Sequence, residues 1–308
     1  MDEINDLIHL GIKTDPIETR YSFDWLFNLA RSEGVPYIQL GSFFELYSLE
    51  DAFFYQLKEK AEKYGLRIKS MFTAHRELGG FFYGDGYYEK AARSAYERFI
   101  QIGAILGVDY CGSNPGAVYR DKIAEKDKGI ERYLYHMREL MHLAAEKELK
   151  GLTMEPMSSM AEPPSTPEEM DHMIGELSSY HKDHPDNTVP VFLCGDISHG
   201  VMDKDFRINY SNLDLFRHGL PYMSEFHFKN TDSLFNNTFG FSDEEIKEGI
   251  VDLEVIHEII KEYRPKIPVN DFVGYLEISG PKTGRDYSDP LLEDKLRSSL
   301  RSLKLVFY

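Results

Sequence analysis

Four residues spread through the second half of the chain, Glu155, Asp196, His227 and Glu277, have side chains able to hold a cation. Each closes or follows a short apolar run: 152–155, 189–194 continuing into Gly195-Asp196, 222–228, and 272–277. Taken singly, each has an ordinary use. Glu155 could cap a helix or pair with a cation, Asp196 could close a turn, and His227 could be a hydrogen-bonded core histidine. Brought together, four buried polar groups would be costly without a cation to pair them. Two glutamates, one aspartate and one histidine make a hard, mixed oxygen–nitrogen shell. That shell suits a divalent metal, Mn²⁺ first and Mg²⁺ or Co²⁺ as alternates, and it also admits Zn²⁺.

Other residues fall near these four. His199, three positions beyond Asp196, is expected on the same rim, where it could touch a substrate oxygen. His75, in Thr73-Ala74-His75-Arg76, follows the third apolar run and is a second candidate for substrate contact. The segment Ser279-Gly280-Pro281-Lys282-Thr283-Gly284-Arg285-Asp286 could hold a phosphate through backbone N–H groups and the cations Lys282 and Arg285.

The elements that must position these residues follow an alternation. Apolar runs at 7–12, 36–40, 66–72, 108–111, 152–155, 189–194, 222–228 and 272–277 read as strands. Amphipathic stretches between them read as helices. Ser22 caps 22–29, Gly65 ends 49–64, Gly107 ends 87–106, and 127–150 precedes Gly151. Ser165-Thr166-Pro167-Glu168 starts another, Ser242 caps 242–263, and a last helix begins near Pro290. The stretch between the sixth and seventh runs, which contains Asn209-Tyr210-Ser211-Asn212, is weakly helical and reads as a short helix plus loop. Strands alternating with helices require a parallel sheet, because each helix is a crossover. Eight such units point to closure into a single (β/α)8 TIM barrel, one domain over residues 1–308, with an open doubly wound sheet as the competing arrangement. Reaction sites of such barrels lie at the C-terminal ends of the strands, which would put all four candidate ligands at one mouth.

Composition narrows the partners. The 308 residues carry 35 Lys+Arg against 52 Asp+Glu, a net charge of −17 that opposes binding to a phosphate backbone, so no nucleic-acid partner is expected. Two cysteines, Cys111 and Cys194, exclude a disulfide scaffold and read as small buried thiols. Residues 1–6 lack a basic leader pattern, and no run approaches the ~18 apolar residues of a membrane span. A cytoplasmic protein with no membrane partner is the expectation.

Glu155, then Asp196-x-x-His199, then His227-x-Lys229, then Glu277, in this order on strands five to eight, resembles the xylose isomerase-like barrel superfamily. Within it, the pattern is similar to the D-tagatose and D-psicose 3-epimerase group and to sugar phosphate isomerase/epimerase proteins. The resemblance covers almost the whole chain. It implies that Glu155, Asp196, His227 and Glu277 bind the metal, that Glu155 and Glu277 also act as paired acid and base, and that His199 touches the reacting end of the substrate. It further implies a homodimer or homotetramer. The ketose epimerases place an arginine shortly after the strand-seven histidine. Here the stretch reads Phe228-Lys229-Asn230-Thr231-Asp232-Ser233, and Lys229 stands in as the substrate-binding candidate, without the bidentate fork of arginine.

The chemistry implied is enolisation. A proton on carbon beside a carbonyl is too weakly acidic for a carboxylate at neutral pH, and a metal on the oxygens stabilises the enediolate. Returning the proton to the adjacent carbon isomerises the sugar. Returning it to the opposite face epimerises it, a task for two glutamates across the metal. The expected activity is a divalent-metal-dependent isomerase or epimerase of a small ketose or ketose phosphate, with 3-epimerisation favoured. The alternative is a metal-dependent lyase on a keto sugar, of the inosose dehydratase type or the barrel subunit of a C-glycoside-cleaving enzyme. A DNA-repair endonuclease of the endonuclease IV type would need more metal ligands and a basic face. A metal-free barrel serving as a binding module would show no response to cations.

Overall fold

The computed structural model describes residues 7–73, 78–278 and 291–308. Strands β1 (His9–Lys13), β2 (Tyr37–Leu40), β3 (Arg67–Thr73), β4 (Tyr110–Ser113), β5 (Gly151–Met154) and β6 (Val191–Asp196) are followed by a small hairpin, β7 (Val201–Met202) and β8 (Ile208–Tyr210). Strands β9 (Met223–Phe228) and β10 (Val273–Leu276) complete the set. All except the hairpin pair in parallel and close into an eight-stranded barrel in the order β1-β10-β9-β6-β5-β4-β3-β2. The open-sheet alternative is thereby excluded. Parallel strands covered by helices are buried on both faces, which is why they read as apolar runs. In β9 every residue is buried, the titratable Glu225 and His227 included.

The caps expected from sequence set the helix ends. The Ser22 hydroxyl accepts from the Trp25 N–H at the start of Phe23–Ser32. Gly107, left-handed at φ 70°, terminates Gly86–Leu106. Thr166 caps Pro167–Asp183, with Pro167 at the first helical position. Three stretches differ from expectation. The helix expected over 127–150 ends at Glu146, and Glu148 turns the chain into β5 with φ 61°.

The helix expected over 242–263 is two helices. A capping box on Ser242 starts Asp243–Glu248, and Asp252 caps Leu253–Tyr263. Between them the Asn230 side chain packs against Gly249, where any Cβ would collide with it. Asn230 donates to Glu245 O at 3.2 Å, which also accepts from the Gly249 N–H, and it accepts from the Val251 N–H at 3.0 Å, a donor that a continuous helix would use itself. Thirdly, the stretch between the sixth and seventh barrel strands has the expected short helix, Asn212–Gly219 capped by Ser211, but its loop part forms the hairpin of β7 and β8.

Trp25 is half-buried, with its indole N–H donating to Glu293 at 3.1 Å. Cys111 and Cys194 are free and buried. Among the described residues no helix is long and apolar enough to cross a membrane.

At the N-terminal ends of the strands an ion cluster closes the barrel floor. The buried Lys69 ammonium lies 2.7 Å from Asp109 and 3.1 Å from Asp271. Asp109 also pairs with Arg67 at 2.7 Å and Lys150 at 3.1 Å. Burial works against the charge on Asp109, but Lys69, Arg67 and Lys150 outweigh it and hold the carboxyl below its usual value.

Candidate metal centre

The opposite end of the barrel gathers the four candidate ligands. Glu155 directly follows β5, Asp196 ends β6, His227 is next to last in β9, and Glu277 directly follows β10. The β6–β9 register sets Asp196 beside His227. The β9–β10 register sets Tyr275 beside His227, so Glu277 stands at the rim just beyond. One ligand atom from each of Glu155, Asp196, His227 and Glu277 lies within 4.8 Å of the others. His227 Nδ1 is 2.8 Å from Glu155 Oε1 and 3.2 Å from Glu277 Oε2. The edge-on ring of Phe72, with centroids 5.1 Å apart, walls the imidazole from one side.

Two side chains that sequence reasoning placed on the rim reach into this group. The Lys229 ammonium contacts Asp196 Oδ2 and lies 3.4 Å from Glu277 Oε2 and 3.2 Å from His199 Nε2. His199 Nδ1 is 2.7 Å from Pro156 O, which turns Nε2 toward Asp196 Oδ2 at 3.4 Å. His75, Lys282 and Arg285 lie outside the described residues.

Four further side chains, Lys13, Asp15, Asn114 and Gln39, belong to the site and were not singled out from sequence. Lys13 ends β1 and places its ammonium 2.6 Å from Glu277 Oε1 and 3.5 Å from Asp15. Asn114, just after β4, donates to Glu155 Oε2. Gln39 on β2 lies 2.8 Å from His227 Nε2. The signal for Lys13 was available. It is a charged residue at the C-terminal end of a barrel strand, the same rule that picks out the four ligands.

The electrostatics run in opposite directions on acids and bases. Burial alone would raise the Glu277 carboxyl, yet Lys13, Lys229 and His227 hold it well below the ordinary value. Asp196 is lowered in the same way, His199 and Lys229 outweighing its burial. Burial would lower Lys13 and Lys229, and the surrounding carboxylates raise both instead. His227 is raised by Glu277 and Glu155 against its burial. For Asp15 burial wins over Lys13 and pushes the carboxyl up to about 6.

These residues fit a divalent cation on two observations. Asp196 Oδ1 accepts from the Ser198 N–H at 2.7 Å and its hydroxyl at 2.6 Å, which leaves Oδ2, in contact with the Lys229 ammonium, as the oxygen not taken by its own loop. The charges are also unbalanced. Glu155, Asp196, Glu277 and Asp15 face the ammonium groups of Lys13 and Lys229, leaving a shortfall of two positive charges among these six residues. A divalent ion held by Glu155, Asp196, His227 and Glu277 would supply them.

The fold is that of the xylose isomerase-like TIM barrels. A candidate xylose isomerase from Rhodospirillum rubrum superposes with a TM-score of 0.76 at 19% identity, covering 97% of this chain and 99% of that one. The D-psicose 3-epimerase of Clostridium cellulolyticum H10, solved with D-tagatose, gives 0.71 at 14% identity over 97% and 99%. An IolI protein with a bound zinc atom gives 0.66 at 15% identity over 97% and 99%. At these identities the likeness is one of fold. No protein-family model matches the chain, and no curated protein matches its sequence.

Proposed function

We propose that this chain, as one domain over residues 1–308, is a divalent-metal-dependent isomerase or epimerase of a small ketose or ketose phosphate, with 3-epimerisation as its reaction. The observation that carries the reading is the convergence of Glu155, Asp196, His227 and Glu277 within 4.8 Å at the barrel mouth, in a group short of two positive charges. The zinc atom of the IolI barrel and the ketose epimerase among the similar folds support it. Mn²⁺ is the proposed ion. When bound, it supplies Lewis-acid stabilisation of the negative charge that develops on the substrate carbonyl oxygen.

The chain's own groups divide the remaining work. Glu277, kept ionised by Lys13 and Lys229, is the base that removes the proton beside the carbonyl. Glu155, oriented by the Asn114 amide, is the partner that exchanges a proton on the other face. His199, fixed by Pro156 O, and Lys229 face the reacting end of the substrate. His75, Lys282 and Arg285 are proposed as contacts to the rest of the substrate. The protein is proposed to act in the cytoplasm as a homodimer or homotetramer.

The test is proton exchange in D₂O. Mn²⁺- or Mg²⁺-loaded protein is incubated with tetruloses, pentuloses and hexuloses, free and phosphorylated, and each sugar is followed by NMR. Chelator-sensitive deuterium at C3 with inversion there is the expected result. Deuterium incorporation at C1 or C2 with formation of the aldose would replace epimerisation by isomerisation. No exchange with any member would overturn the reading and turn attention to elimination from inososes and oxidised glycosides.

A further inference from the structure

Beneath the four candidate ligands the barrel holds a chain of buried polar side chains that the proposed reaction does not use. It runs from Glu225 through Ser70 and Gln39 to the back of the His227 ring. Glu225 Oε1 accepts from the Ser70 hydroxyl at 2.9 Å and from Thr153 at 3.3 Å. Having donated to Glu225, the Ser70 oxygen is an acceptor for the Gln39 amide NH₂ at 3.4 Å. That leaves the Gln39 carbonyl oxygen turned toward His227 Nε2, 2.8 Å away. A carbonyl oxygen can only accept, so Nε2 must carry the proton. In the neutral ring, Nδ1 then presents its lone pair to the side where Glu155 and Glu277 converge.

We infer that Gln39 is a positioning residue for the metal centre: it fixes His227 as the Nε2–H tautomer, with Nδ1 as the ligating nitrogen. This rests on the ligand role proposed for His227. Three features support it. Gln39 is fully buried, so water cannot readily replace its carbonyl. The only other polar atom recorded at Nε2 among the described residues is the Cys194 sulfur at 3.5 Å, a weak acceptor. The backbone is also shaped for the contact. A register shift in the β2–β3 pairing moves from Ile38 opposite Ile68 to Gln39 opposite Ser70, passing over Lys69. That irregularity sets Ser70 beside Gln39 and leaves Lys69 to the ion cluster on the barrel floor. Metal-ligating histidines commonly donate their second N–H to a carbonyl or carboxylate, and removing such a partner weakens metal binding about 10–100-fold.

The experiment uses metal-stripped full-length protein and Zn²⁺, a diamagnetic probe, in two readouts. Calorimetry gives the affinity of the wild type, Gln39→Met and Gln39→Glu. Methionine keeps the bulk and removes the acceptor, whereas glutamate keeps an acceptor. Gln39→Met should bind Zn²⁺ about 10–100-fold more weakly, with Gln39→Glu returning to within roughly threefold of wild type. In the Zn²⁺-loaded wild type, ¹⁵N NMR of the imidazoles should show His227 protonated at Nε2 and metal-bound through Nδ1. A Gln39→Met variant that binds like the wild type, or a ring bound through Nε2, overturns the inference. Should Gln39→Met not fold, Ser70→Ala releases the Gln39 amide instead and should weaken binding in the same direction, while unchanged affinity would count against Gln39. A wild-type protein that binds no Zn²⁺ overturns the proposed function and this inference together. Wild-type binding with indifferent variants overturns this inference alone.

Discussion

The two ends of the barrel both bury charged side chains, and they balance them differently. At the floor, Lys69, Arg67 and Lys150 surround Asp109 and Asp271, so cations match or exceed carboxylates and Lys69 is paired twice. At the mouth, the carboxylates of Glu155, Asp196, Glu277 and Asp15 outnumber the ammonium groups of Lys13 and Lys229. A self-neutralised cluster needs nothing from outside and serves to hold the strand ends together. A cluster left acidic, with oxygens and one imidazole nitrogen aimed at a common point, is arranged to receive a cation. The division follows the general use of this fold, with chemistry at the C-terminal face and stability at the other.

The sharpest way to break this comparison is to neutralise the mouth. Glu155→Gln and Glu277→Gln should each lower turnover by at least ~10³-fold, about 4 kcal/mol of barrier, while circular dichroism shows an intact fold. Retained turnover in either would remove the paired-glutamate assignment. Asp109→Asn should do the reverse. Leaving Lys69 short of its nearest partner should cost about 3 kcal/mol in urea unfolding, without changing Mn²⁺ affinity. A matched loss of metal binding would show that the two ends are not separable.

Chelation should act on the mouth alone. For an ion present at a hundredfold its Kd, stripping it removes about 2.7 kcal/mol and lowers Tm by roughly 4 °C, by the same amount in wild type and Asp109→Asn.

The pH responses should separate too. His227 is raised above its usual value by Glu277 and Glu155, so protons should compete with a metal for the nitrogen proposed to bind it. Mn²⁺ affinity should therefore fall as pH drops through that raised value, by up to about tenfold per pH unit, in a titration between pH 8 and 6. Asp109 is held below its usual value, so its contribution to stability is complete above the ordinary aspartate range and is lost as pH falls through the depressed value. Acid unfolding should be steeper in the wild type than in Asp109→Asn.

Much of this was legible along the chain because the signals are local. Strand runs, the Ser22 and Thr166 caps and the Gly107 stop depend on neighbouring residues, and the structure has them where the pattern puts them. The errors fell where a distant residue intervenes. Gly249 and the Asp252 cap are local marks of the break between Glu248 and Leu253, and Asn230, on the segment after β9, secures it by accepting from the Val251 N–H. The site shows the same limit. Glu155, Asp196, His227 and Glu277 could be picked out because each sits at or near the end of an apolar run, and the same rule points to Lys13, but Asn114 and Gln39 join the site only through barrel closure.

The sequence by itself determined the eight alternating units, the end of each strand that carries the polar residues, and the donor types offered there. Hydrophobic periodicity, capping and ligand chemistry are properties of short stretches, and short stretches suffice to set them. Only the tertiary structure decided which charges neutralise one another. Coulombic pairing and desolvation depend on distances across the barrel, such as the 2.6 Å between Lys13 and Glu277, residues 264 positions apart. That closure set a balanced cluster at the floor and an acidic one at the mouth.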